Sequence, residues 1–597
     1  MSCIIERDSL QSTIRFFDQN MGIMALNIII MYLIFYILLC IINRTWICIT
    51  LASIIYLILP VISKVKFNIR GEPLFLNELA LINTPGELAG LTEISNELQT
   101  IVLFTLIFIV MFSIIILLKK IKTKRRNSLI MLCTMIITII VLFFIPGMSS
   151  NLLRTFGVEL GVRYSPNIIH EKYGTYLGLY SNYVLNTPTE PVGYSKEKVF
   201  EIIEDFNKID IASIISGDNT LELIKVNEDT IKPNIVMIMS ESFFDPKNIE
   251  NVTYSEDPIS NIRKYIEENT SGIFVSSTFG GGTSNVEFEA FTGNTMEFLP
   301  YGIVPYIDLE NYLENCETIQ KNLKKQKYKT IAIHSYDKSF YNRQSAYEKL
   351  GFDEFYDYNT MDNIYYYGKY ISDSCLVDNI ISKLEDGDEP KFIWALSMQN
   401  HTPYSMSNYG EEGLIIDVQS DKLSKNSQEK LTAFVNGLYE TDRSMKKLID
   451  YLDKSKTPTV VIFYGDHLPG FNEVYLDSGN VKTKDSSKWT TKEMIKMHMT
   501  PFFIYDNYKS QEALHNEIVG AFSIGNYLLK YAGIPRTNYF QFIDSLDYVA
   551  LRDRLFVDKE GNIFDKISDE CIEQANQHKM LEYDIIYGKN YVSEYGQ

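Results

Sequence analysis

The first 150 residues contain four long apolar runs, and these limit the possible folds more than any other feature. The runs cover residues 21–42, 45–62, 100–118 and 129–146, and none of them contains a charged residue. A helix of about 20 apolar residues crosses the hydrocarbon core of a bilayer. A buried core helix can be this apolar, but four such runs in succession are typical of a membrane protein. We therefore predict a transmembrane helical domain over residues 1–146.

A basic loop between the third and fourth runs indicates how this domain is oriented. Residues 119–126, KKIKTKRR, include six cations. Short loops rich in Lys and Arg stay in the cytoplasm, so the chain after residue 146 is expected outside. The protein is then a multi-pass cell-membrane protein. Its net charge of −19 argues against a nucleic-acid partner, and its seven scattered cysteines give no disulfide or zinc-thiolate pattern.

The rest of the chain has two parts with different patterns. Residues 147–231 carry helical patterns and are predicted to form a linker. From 232 to 597, β-rich runs alternate with amphipathic helices, which is typical of an α/β domain with a mainly parallel central sheet. We expect this domain to be extracytoplasmic and to end in a smaller C-terminal subdomain. The predicted strands cover residues 234–241, 328–335, 391–398, 459–467 and 500–506.

Polar residues follow these strands at the edge where an open α/β sheet binds its ligands. Glu241, His334 and His401 end or follow the first three strands, and Asp466 with His467 ends the fourth. Two carboxylates and an imidazole suit a divalent ion such as Mn²⁺, with Mg²⁺ or another divalent ion as alternatives. The simpler interpretation is a solvated turn, because GDHLPG is rich in turn residues.

A glycine-rich loop lies between the first two of these strands. In FGGGTSN, residues 279–285, three glycines precede Thr283. Glycines let backbone amides approach a ligand, and Ser284 with Glu287 matches the capping pattern that begins a helix. Thr283 would then lie at the positive end of that helix, where a phosphate is favoured. The alternative is a plain turn without any chemistry.

Five ordered motifs between residues 234 and 470 resemble those of the lipoteichoic acid synthase family. They are NIVMIMSESFFD, FGGGTSNVEFEAF, HSYDKSFYNR, LSMQNHTPY and FYGDHLPG. Members of this family are membrane-anchored phosphoglycerol transferases of the alkaline phosphatase and sulfatase superfamily. The resemblance implies that Glu241, Thr283, Asp466 and His467 hold one Mn²⁺.

The resemblance also implies a reaction. Thr283 would attack the phosphate of phosphatidylglycerol, and diacylglycerol would leave. The phosphoglycerol would then pass from Thr283 to a membrane glycolipid or to a growing polyglycerolphosphate chain, as in lipoteichoic acid synthesis. Two displacements at one nucleophile fit a transferase, since donor and acceptor can then bind in turn.

Further residues are implied to contact the substrate. His401 matches a residue that contacts the phosphate, and His334, Asp337 and Arg343 match residues around the glycerol. Arg343 also suits a bidentate hold on phosphate oxygens. Tyr341 stands where the family commonly has tryptophan, so we expect a differently shaped wall beside the glycerol.

Two other functions remain open from the sequence. The same residues would serve a transferase or phosphodiesterase acting on another head group, such as phosphoethanolamine or a sugar phosphate. A catalytically silent binding module is the third alternative, although such a module has no need of Thr283 beside a set of metal ligands. The tyrosine side chains of the run NIYYYGKY, residues 363–370, are expected to pack in the core or lie on the surface, and we assign this run no functional role.

The topology can be tested with single cysteines placed in the basic loop 119–126 and in the linker. We expect a membrane-impermeant thiol reagent to label the linker cysteine in intact cells and to leave the loop cysteine unlabelled, because six cations strongly oppose export. Labelling of the loop cysteine in intact cells would contradict this orientation.

Overall fold

Strands and helices alternate from residue 232 onward, as the sequence predicts. The computed structural model describes residues 10–42, 44–70, 73–75, 155, 172–185, 188, 190–204 and 232–595, apart from 301, 411–412, 510, 552–554, 559–562 and 565–568. The chain divides into an N-terminal unit, Met1–Thr187 with Pro300–Gly302, and a C-terminal unit, Pro188–Leu299 with Ile303–Gln597.

The described part of the N-terminal unit is mainly helical. Its helices are α1 (Leu10–Gln19), α2 (Met21–Ile42), α3 (Thr45–Arg70) and α4 (Thr175–Leu185). By length and composition, α2 and the Thr45–Lys64 part of α3 are apolar enough to cross a membrane, and they coincide with the first two predicted spans. The predicted spans 100–118 and 129–146, the basic loop and the domain boundaries at residues 146 and 231 lie outside the described residues.

The C-terminal unit is built on one large sheet. In the described part of the chain the strands are β1 (Asn234–Ser240), β2 (Thr253–Tyr254), β3 (Thr270–Val275), β4 (Lys329–His334), β5 (Glu354–Tyr356), β6 (Tyr366–Tyr367), β7 (Tyr370–Ile371), β8 (Lys391–Leu396), β9 (Val418–Gln419), β10 (Thr459–Gly465), β11 (Met499–Asp506), β12 (Glu517–Gly520), β13 (Tyr548–Leu551), β14 (Leu555–Asp558) and β15 (Ile563–Phe564). The large sheet has the order β12-β3-β11-β10-β1-β8-β4-β5.

All strands of the large sheet run in one direction except β11, which pairs antiparallel with β10 and β3. The expected mainly parallel sheet is therefore confirmed. Strands β1, β8 and β10 are buried along their whole length, which explains why they read as unbroken apolar runs rather than as alternating patterns. Strand β3 and the edge strands β5 and β12 were not predicted.

The register of the sheet brings the predicted site residues to one edge. Ser240 pairs with Gly465, so the residues that follow them, Glu241 and Asp466, leave the sheet side by side. His334 ends β4 and pairs with Leu396 of β8, at the same edge.

Helices cover both faces of this sheet. The main ones are α5 (Ser260–Glu268), α6 (Thr283–Thr292), α7 (Pro305–Asp308), α8 (Ile319–Lys325), α9 (Arg343–Leu350), α10 (Asp373–Glu385), α11 (Lys425–Leu452), α12 (Asn472–Ser478), α13 (Thr491–Lys496), α14 (Ala521–Tyr531), α15 (Asn538–Asp544) and α16 (Asp569–Ile586). Helix α11 begins at a Ser424 cap, whose hydroxyl accepts from Ser427 N, and it packs along α10. Strands β13, β14 and β15 form a small antiparallel sheet near the end of the chain.

Gly465 is a position where the fold excludes any side chain. A Cβ at this residue would lie 2.0 Å from the carbonyl oxygen of Phe243, so the backbone after β1 would have to move. We expect Gly465→Ala to destabilise the C-terminal unit by about 3 kcal/mol, because backbone cannot give way as a flexible side chain can.

The matched control is Gly533→Ala. Gly533 has a φ of +68° but open space around it, so this change should cost only about 1 kcal/mol of backbone strain. Thermal denaturation of the full chain in detergent measures both, and equal losses would contradict the steric argument.

Candidate active site

The glycine loop after β3 delivers Thr283 to the sheet edge. Gly280, Gly281 and Gly282 have φ values of 67°, 148° and 89°, a sequence of backbone conformations that residues with a Cβ resist. The Gly280 amide donates to Leu468 O at 3.0 Å, which ties this loop to the turn after β10. Helix α6 then begins at Thr283, so this residue lies at the positive end of a helix as predicted.

The predicted capping pattern of Ser284 and Glu287 is wrong. Gly282 occupies the cap position, and no side chain caps the helix. Ser284 lies inside α6, and Glu287, which is fully buried, faces Arg343 instead. The pattern failed because the left-handed Gly282 already redirects the chain into the helix.

Glu241, Asp466 and His467 converge where β1 and β10 end. One ligand atom from each of the three buried residues lies within 4.8 Å of the others. Thr283 Oγ1 joins them by donating to Asp466 Oδ2 at 2.8 Å. The structure thus brings together all four residues that the sequence assigned to the ion.

Backbone amides hold the Asp466 carboxylate in place. Its Oδ1 accepts from Ser242 N at 2.7 Å and from His467 N at 2.8 Å. Ser242 reaches this position with a left-handed φ of 55°, and its hydroxyl donates to Glu241 Oε1 at 2.8 Å. Ser397 Oγ accepts from Glu241 N at 2.9 Å, so the residue that follows β8 also supports the group.

The tautomer of His467 leaves a lone pair facing this carboxylate. Nδ1 lies 3.0 Å from Leu468 O, which can only accept, so Nδ1 carries the ring hydrogen of the neutral imidazole. Nε2 then presents its lone pair 3.2 Å from Asp466 Oδ2, and it has no hydrogen-bond partner among the described residues. Two electron-rich atoms at this distance fit a shared cation.

The electrostatics of these buried residues also indicate a cation site. Burial and the neighbouring Asp466 carboxylate raise the pKa of Glu241 well above its usual range. A bound cation removes this repulsion, so the geometry and the electrostatics both fit a divalent ion. Two carboxylates with one imidazole suit Mn²⁺ or Zn²⁺, which accept mixed oxygen and nitrogen ligands.

His334 and His401 also lie at this edge of the sheet. His334 is buried, and its Nδ1 lies 3.2 Å from Leu396 O. Burial and the Arg343 charge lower the pKa of His334, so the ring is neutral and its Nε2 is an acceptor. His401 is half-buried, with Nδ1 2.9 Å from Thr402 O.

Arg343 is buried and held by Glu287. Its Nη2 donates to Glu287 Oε1 at 2.6 Å, and its Nε lies 3.1 Å from the same oxygen. The Nε and Nη2 edge of the guanidinium is therefore occupied by Glu287. Bidentate hydrogen bonding to a phosphate remains a prediction for the other guanidinium donors. The Tyr341 ring lies 5.1 Å from the guanidinium, and Tyr341 itself has a left-handed φ of 57°.

Asp337 is placed differently from the other predicted substrate residues. Its Oδ1 accepts from the backbone N and the hydroxyl of Ser339, at 2.8 and 2.6 Å. These hydrogen bonds lower the pKa of Asp337. The carboxylate thus stabilises the turn after β4 in this structure, and its contact with glycerol stays a prediction.

Several residues at the site were not singled out from the sequence. Ser242 and Ser397 support the proposed ion ligands, and Glu287, which the sequence suggested only for a helix cap, holds Arg343. Tyr404 is half-buried, and burial and the Glu241 charge raise its pKa. Ser242 and Tyr404 lie within the quoted motifs, close in sequence to Glu241 and His401, and this position could have identified them. Nothing in the sequence indicated that Tyr370 contacts His401.

Comparison with known proteins supports the family resemblance. Residues 233–534 match the sulfatase family. A Rhizobium meliloti protein named for cyclic beta-1,2-glucan modification is 31% identical over 61% of this chain and 56% of its own length. The Staphylococcus aureus lipoteichoic acid synthase is 25% identical over 50% of this chain and 46% of its own length. The chain thus spans about half the length of these curated relatives.

A solved structure also resembles this chain. The Streptococcus pyogenes phosphoglycerol transferase GacH, in complex with sn-glycerol-1-phosphate, matches with a TM-score of 0.55 and 25% identity. The match covers 68% of this chain and 97% of that one. The resemblance inferred from the five motifs is thereby confirmed.

The ion site can be tested by thermal denaturation after treatment with a chelator. Added Mn²⁺ should stabilise the wild-type protein by about 2.7 kcal/mol at a concentration one hundred times its Kd. Asp466→Asn keeps the shape of the side chain but loses its charge, so we expect Mn²⁺ to raise its melting temperature little. Asp421→Asn changes an exposed carboxylate and serves as the control. An equal shift in all three proteins would contradict the assignment.

Proposed function

For this chain, which belongs to the sulfatase family, we propose a Mn²⁺-dependent phosphoglycerol transferase with Thr283 as its nucleophile and phosphatidylglycerol as its donor. The observation that carries the proposal is the 2.8 Å hydrogen bond from Thr283 Oγ1 to Asp466 Oδ2, within a buried group that suits a divalent cation. The resemblance to GacH, a phosphoglycerol transferase, supports the choice of head group.

The first displacement moves the phosphoglycerol onto the protein. Thr283 Oγ1 forms a bond to phosphorus while the bond from phosphorus to the diacylglycerol oxygen breaks. The hydroxyl proton passes to water, because Asp466 Oδ2, to which the hydroxyl donates in this structure, would bind the cation. Glu241, Asp466 and His467 would hold a divalent cation, which would supply positive charge to the Thr283 oxygen and to the phosphate oxygens. The leaving oxygen gains a proton from His401 and departs as diacylglycerol.

Other residues recognise the donor. The neutral His334 accepts a hydrogen bond from a glycerol hydroxyl through Nε2. Arg343 supplies positive charge close to the site, because its guanidinium lowers the pKa values of both His334 and Glu241. Tyr341 and Asp337 complete the wall beside the glycerol.

The second displacement returns Thr283 to its free form. An acceptor hydroxyl gives its proton to His401 and bonds to phosphorus, while the bond from phosphorus to Thr283 Oγ1 breaks and that oxygen regains a proton from water. In the first candidate function the acceptor is a membrane glycolipid or a growing polyglycerolphosphate chain, which is lipoteichoic acid synthesis.

A glycan hydroxyl is the second candidate acceptor. It is favoured by the 31% identity to the relative named for cyclic beta-1,2-glucan modification, which exceeds the 25% identity to lipoteichoic acid synthase. The reacting residues are the same for both acceptors, because each provides a hydroxyl to the same phosphothreonine.

The enzyme works at a membrane in this proposal. Two N-terminal helices apolar enough to cross a bilayer would anchor it beside its lipid donor. The multi-pass arrangement and the extracytoplasmic position of the C-terminal unit follow from the sequence and belong to the proposal.

Vesicles that contain phospholipids with different labelled head groups test the function. We expect the full chain to release diacylglycerol from phosphatidylglycerol. Thr283→Ala should lower this rate by at least about a thousandfold, because it removes the covalent nucleophile. Thr283→Ser keeps a hydroxyl and should retain measurable release.

Three outcomes would contradict parts of the proposal. Diacylglycerol release only from phosphatidylethanolamine would mean that the transferred head group is phosphoethanolamine and not phosphoglycerol. No release from any phospholipid would favour a binding module. A near-normal rate for Thr283→Ala with earlier melting would mean that Thr283 only begins a helix.

A further inference from the structure

The tyrosine-rich run at residues 363–370 forms a small hairpin beside the site. Strands β6 and β7 pair Tyr367 with Tyr370 across a turn at Gly368. Tyr367 Oη donates to Gly413 O at 3.0 Å, and a Cβ at Gly368 would lie 2.8 Å from the Tyr409 ring. The hairpin therefore packs against the loop that follows β8.

Tyr370 carries the hairpin's contact with His401. Tyr370 Oη donates to Thr402 O at 2.6 Å and lies 3.3 Å from His401 Nδ1. The two rings meet edge to face, with centroids 5.7 Å apart. Thr402 O also lies 2.9 Å from His401 Nδ1, so one carbonyl oxygen lies within hydrogen-bond distance of both side chains.

This arrangement determines which nitrogen of His401 carries the hydrogen. A carbonyl oxygen can only accept, so Tyr370 Oη and His401 Nδ1 each direct a hydrogen towards Thr402 O. The Tyr370 hydroxyl, having given its hydrogen to Thr402 O, offers its lone pairs to the Nδ1–H group. The hydrogen at Nδ1 is thereby fixed, and Nε2 is the nitrogen that gains and loses a proton.

We infer that Tyr370 is a positioning residue that holds His401 in the tautomer needed for proton transfer. The inference rests on the proposed function, in which His401 exchanges a proton with the leaving and the attacking oxygen. As the acceptor oxygen bonds to phosphorus and the Thr283 bond breaks, the acceptor's proton passes to Nε2 while the hydrogen at Nδ1 stays. The imidazolium that results is stabilised because Nδ1–H donates to Thr402 O and Tyr370 Oη.

The surroundings of this pair keep the tyrosine neutral. Burial and the Glu241 carboxylate raise the pKa of Tyr370, so its hydroxyl remains a donor at working pH. Lys369 Nζ lies 5.3 Å from the Tyr370 ring, and His334 is close enough to His401 for each to oppose the other's charge. Tyr336 and Tyr409 also lie close enough to act on the pKa of Tyr370.

The test compares Tyr370→Phe with Tyr366→Phe in the full chain. Each variant loses one hydroxyl from the same hairpin, but the Tyr366 side chain is 63% exposed. We expect Tyr370→Phe to lower kcat for diacylglycerol release about tenfold, with little change in KM, because one hydrogen bond to a catalytic group is lost. Tyr366→Phe should match the wild type.

A second measurement does not depend on turnover. The reaction of His401 with diethyl pyrocarbonate, followed by mass spectrometry of its peptide, reports the fraction of unprotonated imidazole at each pH. In Tyr370→Phe the midpoint of this curve should fall by about half a pH unit, because the imidazolium loses an acceptor at Nδ1–H. Tyr366→Phe should leave the midpoint in place.

The outcomes separate this inference from the proposed function. Wild-type protein that releases no diacylglycerol would contradict the function, and the shift in the His401 curve would still support the role of Tyr370. Coincident curves for all three proteins, or a loss of activity in Tyr370→Phe that accompanies earlier melting without a shifted midpoint, would overturn the inference.

Discussion

The structure depends most on the forced closeness of two buried carboxylates, Glu241 and Asp466. Neighbouring parallel strands end at paired positions, Ser240 and Gly465, so the next residues cannot move apart without breaking the sheet register. Burial and the neighbouring Asp466 carboxylate together raise the pKa of Glu241. A backbone rigid enough to hold such a group is prepared for a divalent ion, because the cation removes a strain that the fold maintains in its absence.

The proposed nucleophile, Thr283, is placed by a second buried constraint. Thr283 begins α6, and one turn later Glu287 forms a fully buried ion pair with Arg343. Tyr347 Oη donates to the other Glu287 oxygen at 2.5 Å and accepts from Trp394 Nε1 at 3.1 Å, which extends the pair into the core. Breaking a buried ion pair by removing one partner costs about 3–5 kcal/mol, so α6 and the Arg343 loop are expected to keep one relative position.

The sequence predicted the parts of this fold that depend on local patterns. Buried parallel strands such as β1 and β10 are unbroken apolar runs, and the residues that end them, Glu241 and Asp466, could be placed at one sheet edge by topology alone. The partnership of Glu287 with Arg343 joins residues 56 positions apart, and no local pattern encodes it. The same is true of Tyr370, which reaches His401 from a hairpin of two-residue strands, too short to show any periodicity.

The central claim is that phosphoglycerol becomes attached to Thr283, and mass spectrometry of the protein after incubation with phosphatidylglycerol and Mn²⁺, without acceptor, tests it most directly. The account predicts an increase equal to the mass of phosphoglycerol on the peptide that spans residues 276–294, located at Thr283 by fragmentation. An unmodified peptide in a sample that releases diacylglycerol, or the same mass on another residue, would contradict it.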